Sequence, residues 1–209
     1  MDKKKDPREP IQKRGKDKKK RILLASKQLF IKNNYFNVST NEIAKQAGVS
    51  IGTLYSYFSS KEDILTELLA DYSNSFLPIF EKISSQTSFE AFKEDTKAWL
   101  ESLVDQLVNS EDIEFHSQIE MLAYAIPKVC DFQNEYNEKL KNLTYECFLY
   151  YAQNTNVHEV KILSVVVFDY ISALVDELLY NKHSISVKND LKQCGINSIY
   201  TIIVDSLKE

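Results

Sequence analysis

Ile51, Gly52, Thr53, Tyr55 and Tyr57 fall, at helical spacing, on or near the outer side of a short helix whose inner side takes Leu54 and Phe58. Ser50 is placed to cap its start, and Lys61 follows its end. Just upstream, Thr40 is expected to cap another short helix in which Ile43, Ala44 and Ala47 share the buried face. Asn41 lies in its first turn, and Gly48 supplies the positive φ that a tight turn between the two helices requires. Two short helices, a glycine turn and a hydroxyl-rich exposed face make a helix-turn-helix, whose second helix enters the DNA major groove.

A second group of residues suits a small molecule. Trp99, Phe115, Tyr124, Tyr145 and Phe148 belong to a dense aromatic region from Trp99 to Tyr170, which either lines a cavity for a flat or greasy ligand or forms an ordinary core. Asp169 sits inside the apolar run VVVFDYISALV, and Glu120 between Ile119 and Met121. Two acids in an aromatic cavity favour a cationic, lipophilic ligand; the alternative pairs Asp169 with a Lys or Tyr across an interface between chains. His116 and Glu120, four apart, form either half of a metal face or a solvated pair. The chain has only 3 histidines and no nucleophile elbow, phosphate-binding glycine loop or metal-ligand cluster. No catalytic residue, metal or cofactor is therefore assigned.

The elements that position these residues are all helical. Residues 1–61 carry 15 Lys and Arg against 5 Asp and Glu, and the remainder 11 against 25, so one end of the chain suits a polyanion and the other does not. No apolar run is long enough to span a bilayer, no signal-peptide pattern opens the sequence, and a cytoplasmic protein is expected. Cys130, Cys147 and Cys194 read as reduced core thiols. Residues 1–17 are expected to form a disordered basic arm and 18–60 a three-helix DNA-binding domain, whose first helix is capped by Asp17 and ended at Asn33-Asn34. Residues 61–209 then make a larger helical domain for ligand binding and dimerisation. Within it, periodicity predicts helices from Lys61 toward Ile83 with a break at Pro78, over 89–108 after a loop at 84–88, over 112–125, 128–153, 157–180 and 187–207. The segment Ile162 to Val175 is apolar nearly all round, so the last two helices are expected to be covered by a second copy of the chain. Lys18, Lys19, Lys20 and Arg21 either start a solvated helix or reach an adjacent minor groove.

The ordered run VSTNEIAKQAGVSIGTLYSYFSSKEDIL, preceded by a basic helix and a Tyr-Phe pair, resembles the TetR family of bacterial transcriptional repressors over about Arg21 to Leu69. That resemblance implies a homodimer bound to a palindromic double-stranded DNA operator and released by a small-molecule effector. It also implies phosphate contacts from Thr40, Tyr55, Tyr57 and Lys61, with Asn41, Ile51, Gly52 and Thr53 facing bases or groove. Hydroxyls and amides at helix starts such as Ser50 donate to phosphate oxygens, Lys61 adds a counterion-releasing charge, and Ile51 and the Thr53 methyl can pack on thymine methyls. Where the family often has Gly before its aromatic pair, this chain has Asn34. A regulator answering to a protein partner and a helical enzyme are the alternatives.

Overall fold

A computed structural model describes residues 13–110, 112–152 and 157–207. Among these residues there are eleven α-helices, one short 3-10 turn and no strand. Contacts group the chain into two compact units, one formed by the chain through Asn74 with Glu114–Cys130, the other by Ser75–Ile113 and Asp131–Glu209. This grouping differs from a cut at residue 60.

In the first unit, helix α1 (Lys13–Asn33) buries Ile22, Ala25, Ser26, Leu29 and Phe30. It starts five residues before the expected Lys18, so Asp17 lies inside it and caps nothing; Lys and Arg are good helix formers and carry the extra turn. Residues 1–12 of the expected arm lie outside the described residues. Asn34 takes φ 63, and its Oδ1 accepts from Phe36 N–H at 3.1 Å, which is how a non-glycine residue holds this turn. The 3-10 turn Tyr35–Asn37 sets the Tyr35 ring edge-on to Phe30 at 5.1 Å.

Helix α2 (Thr40–Ala47) is capped by Ser39 rather than Thr40: Ser39 Oγ accepts from Glu42 N–H, and the Glu42 carboxylate accepts from Ser39 N–H at 2.8 Å. Gly48 (φ 63, ψ 41) ends it, with Val49 N–H donating to Ala44 O at 3.0 Å. A side chain at Gly48 would be strained by the left-handed backbone alone. Helix α3 (Ile51–Tyr57) is capped by Ser50 as expected and buries Leu54, and Phe58 closes it in extended conformation. Helix α4 (Lys61–Asn74) buries Ile64, Leu65, Leu68 and Leu69. Helix α8 (Ile113–Ala125) is drawn into this unit from its Glu114 onward, because Lys27 lies 4.9 Å over the Phe115 ring and Tyr72 Oη is 2.6 Å from His116 Nδ1.

In the second unit the stretch 84–108 divides differently from expectation. Helix α5 (Leu77–Ile83) has Pro78 in its first turn, where no backbone donor is lost. Ser85 caps α6 (Gln86–Glu94), so the expected loop is mostly helical. The predicted single helix then breaks at Asp95, whose Oδ1 takes the Ala98 N–H at 3.0 Å and starts α7 (Thr96–Ser110). Helices α9 (Pro127–Ala152), α10 (Val157–Tyr180) and α11 (Ile185–Leu207) follow; the expected end of α9 at Gln153 lies outside the described residues. Helices α10 and α11 pack on each other and on α7. They approach so closely at Gly195 that a Cβ there would stand 2.6 Å from Leu174 Cδ2. Of the three cysteines only Cys147 is a core thiol; Cys130 is half-buried and Cys194 exposed.

Tyr151 anchors the aromatic core of this unit. Its ring stacks on Phe92 at 4.4 Å and its hydroxyl donates to Ile83 O at 2.7 Å. Burial, first of all, pushes its phenol up from 10.0 to about 12. Because the unfolded chain ionises this group more easily, its stabilising contribution is intact below pH 10.0 and is lost as the pH climbs through about 12. Tyr151→Phe is expected to cost about 1 kcal/mol at neutral pH through the orphaned Ile83 carbonyl. The variant should also lose less of its Tm across that alkaline interval than the parent does. An alkaline decline as steep as the parent's, in thermal melts followed by circular dichroism, would count against this role.

Candidate nucleic-acid interface

The outer face of α3 is built by what its inner face needs. Leu54 and Phe58 are buried at 0% and 2% exposure, which turns Ile51, Gly52, Tyr55 and Ser56 outward. Ile51 and Tyr55 are 38% and 50% exposed, and no atom lies within 4 Å of a Cβ built on Gly52. That bare patch of helix backbone lets a partner approach closely. Thr53 and Tyr57 stand on the flank, half-buried. Ser50 and Thr53 are tied together: Ser50 Oγ accepts from Thr53 N–H at 3.1 Å and lies 2.8 Å from Thr53 Oγ1.

The hydroxyls of Thr40 and Tyr55 lie 3.0 Å apart. This contact joins the first turn of α2 to the outer face of α3, and sets two hydroxyls side by side, one of whose protons stays free for a partner, with Asn41 exposed. Ser56 is the outward residue that sequence reasoning missed; its spacing of four from Gly52 was the available signal.

Lys61 is more constrained than an exposed phosphate-binding lysine. Its ammonium donates to Tyr35 O at 2.7 Å and to Val38 O at 2.8 Å, and stands 4.3 Å over the Tyr35 ring. Burial pulls its pKa below the ordinary lysine value, and the Glu42 carboxylate opposes that shift. Glu42 itself is held below the usual carboxylate range, mainly by the Ser39 backbone N–H. Two of the three ammonium protons therefore fix the start of α4 to the loop that leads into α2, and one makes neither of these bonds.

The residues expected to bind a small molecule are divided between the two units. Phe115, Glu120 and Tyr124 belong to the first unit; Trp99, Tyr145, Phe148 and Asp169 belong to the second. Tyr124 is 91% exposed. Glu120 is exposed with His116 Nε2 at 3.7 Å from its Oε1, whereas Phe115 is a core residue. Asp169 is not enclosed: it pairs with Lys141 at 2.9 Å in the same chain and sits on the open side of α10. That side also carries Ile162, Val166 and Tyr170, exposed at 54%, 45% and 37%, so one chain does not cover the helix all round as its composition suggested. Trp99, Phe148 and the half-buried Tyr145 remain in the second unit, and Trp99 Nε1 donates to Ser88 Oγ at 2.7 Å. Among the described residues, no group of three or more His, Cys, Asp or Glu is placed to hold a metal ion, and no helix is long and apolar enough to cross a membrane.

Known proteins resemble the chain over both units. Residues 22–68 match the family described as bacterial regulatory proteins, tetR family, and residues 77–206 match the tetracyclin repressor-like C-terminal domain. The fatty acid metabolism regulator protein of Bacillus subtilis (strain 168) is 37% identical over 70 residues, 34% of this chain and 36% of that one. The HTH-type transcriptional regulator SAR2658 of Staphylococcus aureus (strain MRSA252) is 25% identical over 186 residues, 72% of this chain and 98% of its own length. The match therefore spans about a third of the first relative and nearly all of the second. A solved structure of a TetR-family transcriptional regulator from Mesorhizobium loti MAFF303099 shares the fold, with a TM-score of 0.69 at 19% identity over 91% of this chain and 98% of that one. The matched families are those of transcriptional regulators and not of enzymes.

Proposed function

Because the chain belongs to the TetR family of bacterial regulatory proteins, we propose that it is a cytoplasmic transcriptional repressor that binds a palindromic operator as a homodimer and leaves it when a small effector binds the C-terminal helices. One observation carries the DNA-binding part: α3 turns Ile51, the bare Gly52 backbone and Tyr55 outward, with Thr40 Oγ1 3.0 Å from the Tyr55 hydroxyl. In this reading Thr40, Tyr55 and the remaining Lys61 proton meet phosphates, Ile51 and Gly52 enter the major groove, and Asn41 and Thr53 border it. Dimerisation runs through α10 and α11, supported by the exposed apolar row Ile162, Val166 and Tyr170 and by Ile185 and Val187 on α11.

In vitro selection from a random-sequence duplex library tests this directly. Enrichment of an inverted repeat with half-sites about one or more DNA turns apart is the expected result, and a pool that remains random would refute the reading.

The effector is assigned to the second unit, with Trp99, Tyr145 and Phe148 as its aromatic partners. Trp99 is the only tryptophan, so its emission reports on that neighbourhood when candidate ligands are titrated. A different observation favours a protein partner instead of a small effector: the Trp99 indole is bonded to Ser88 and the Tyr151 hydroxyl to Ile83, which leaves these polar atoms of the aromatic core already satisfied. Release of DNA by a ligand that shifts Trp99 emission decides for the first reading, and release only by a protein decides for the second.

A further inference from the structure

Helix α1 begins nine residues ahead of Ile22, its first buried residue, and those nine residues hold seven Lys and Arg against one acid, Asp17. Like charges one helical turn apart repel, so this pattern weakens the helix that carries it. Lys19 has a use inside the fold, pairing with Glu67 at 2.7 Å and standing 5.6 Å over the Phe58 ring. Arg14, Lys18 and Arg21, spaced four and three apart, share a different flank and are all exposed. Asp17 lies on that flank too.

The direction of the flank is set further down the helix. Gln28 accepts from Gln46 Nε2 at 3.0 Å in the last turn of α2, and Arg21 Nη1 lies 3.5 Å from the position of a Cβ built on Gly48. Residues 28, 21 and 14 are seven apart and so fall on one line along α1. The flank follows the end of α2 to the turn and then continues past it as Arg14 and Lys18. Helix α2, with 8 residues, is about 12 Å long, close to the width of the major groove. Thr40, beside Tyr55, stands at one end of it and Arg21 at the other.

We propose that Arg14, Lys18 and Arg21 form a second phosphate-binding ridge that grips the DNA backbone across the groove from the Thr40, Tyr55 and Lys61 end. This rests on the DNA-binding reading above and extends it: the ridge lengthens the contact of each half-site outward and reads no bases. It is presented by a continuous helix, which suits a row of phosphates better than the interior of a minor groove.

The test uses the full chain and a short mixed-sequence duplex, with the association constant measured against salt. Four proteins are compared: the parent, Arg14→Gln/Lys18→Gln/Arg21→Gln, Arg14→Gln/Lys18→Gln, and the charge-matched control Lys139→Gln/Lys161→Gln/Lys182→Gln, whose three lysines are exposed on α9, α10 and the turn after it. The salt slope is expected to become shallower by about 2 to 3 in the triple ridge variant and by about 2 in the double, while the control keeps the parent slope. The double variant leaves Arg21 beside Gly48, so its helix-turn packing is retained, and far-ultraviolet circular dichroism checks the fold. A parent-like slope in both ridge variants overturns the proposal. So does an equal change in the control, which would make the effect one of net charge. Loss by the double variant of the preference for a selected repeat over mixed sequence overturns the claim that the ridge reads no bases. A parent that binds no duplex at all is a different result, and refutes the DNA-binding reading itself.

Discussion

A chain carrying Tyr55→Phe and Lys61→Met together is expected to bind duplex DNA at least about 100-fold more weakly than the parent. Each change removes one hydrogen bond to a charged phosphate oxygen, worth about 1.5 to 3 kcal/mol, and each 1.4 kcal/mol is tenfold in affinity. The two should differ in kind. Tyr55→Phe alone weakens binding with the salt slope unchanged, because a phenol releases no counterion. Lys61→Met alone makes the slope shallower by about one. The internal bonds of Lys61 to Tyr35 O and Val38 O complicate the magnitude, since losing them also destabilises the loop ahead of α2. They do not complicate the slope, which counts charges at phosphates and is indifferent to a loosened loop. Fluorescence anisotropy over a range of salt concentrations reads both quantities, and unchanged affinity in the double variant would contradict the interface described above.

The second large effect concerns assembly. Ile162→Glu with Val166→Glu is expected to convert a dimer into a monomer in sedimentation experiments, and to weaken operator binding with it. Both positions are on the open row of α10, 54% and 45% exposed in a single chain, so the substitutions cost little before association. In a two-fold interface each carboxylate would meet apolar side chains of the second copy, and an unpaired buried charge costs about 3 to 5 kcal/mol. Two per chain exceed what an ordinary interface supplies. The nearby Lys141 is already engaged by Asp169 at 2.9 Å and does not offset them. A dimer that survives both changes would move the interface away from α10.

The helix-turn-helix was legible in the sequence because its signals are local. The Leu54 and Phe58 spacing, the Ser50 cap and Gly48 act within a turn or two of the chain, and the structure has each in its expected role. One such signal was misplaced by a residue: Ser39 and Glu42 form the capping box, while Thr40 carries the same kind of hydroxyl one position later. The break at Asp95 was hidden for another reason. Apolar residues keep their helical spacing on both sides of it, no Gly or Pro marks it, and only the hydrogen bond from Ala98 N–H to the Asp95 side chain decides it. What long-range packing determines was not legible. Lys61 finds its carbonyls 26 and 23 residues away. Asp169 looked enclosed because its neighbours in sequence are apolar, yet enclosure depends on which side of α10 the other helices of the chain cover. Nothing in the sequence around Gly195 marks it as special, and only the approach of Leu174 shows that a larger side chain there would have to push that leucine aside.

The most direct measurement is a titration of the full chain on the inverted repeat recovered by selection, and on the same duplex with one half-site scrambled, at a fixed salt concentration near 0.15 M. If α3 works as one of a symmetric pair, two chains bind each intact duplex, and scrambling one half weakens binding by about three orders of magnitude or more. One chain per duplex, bound equally well to the intact and the half-scrambled sequence, would contradict it.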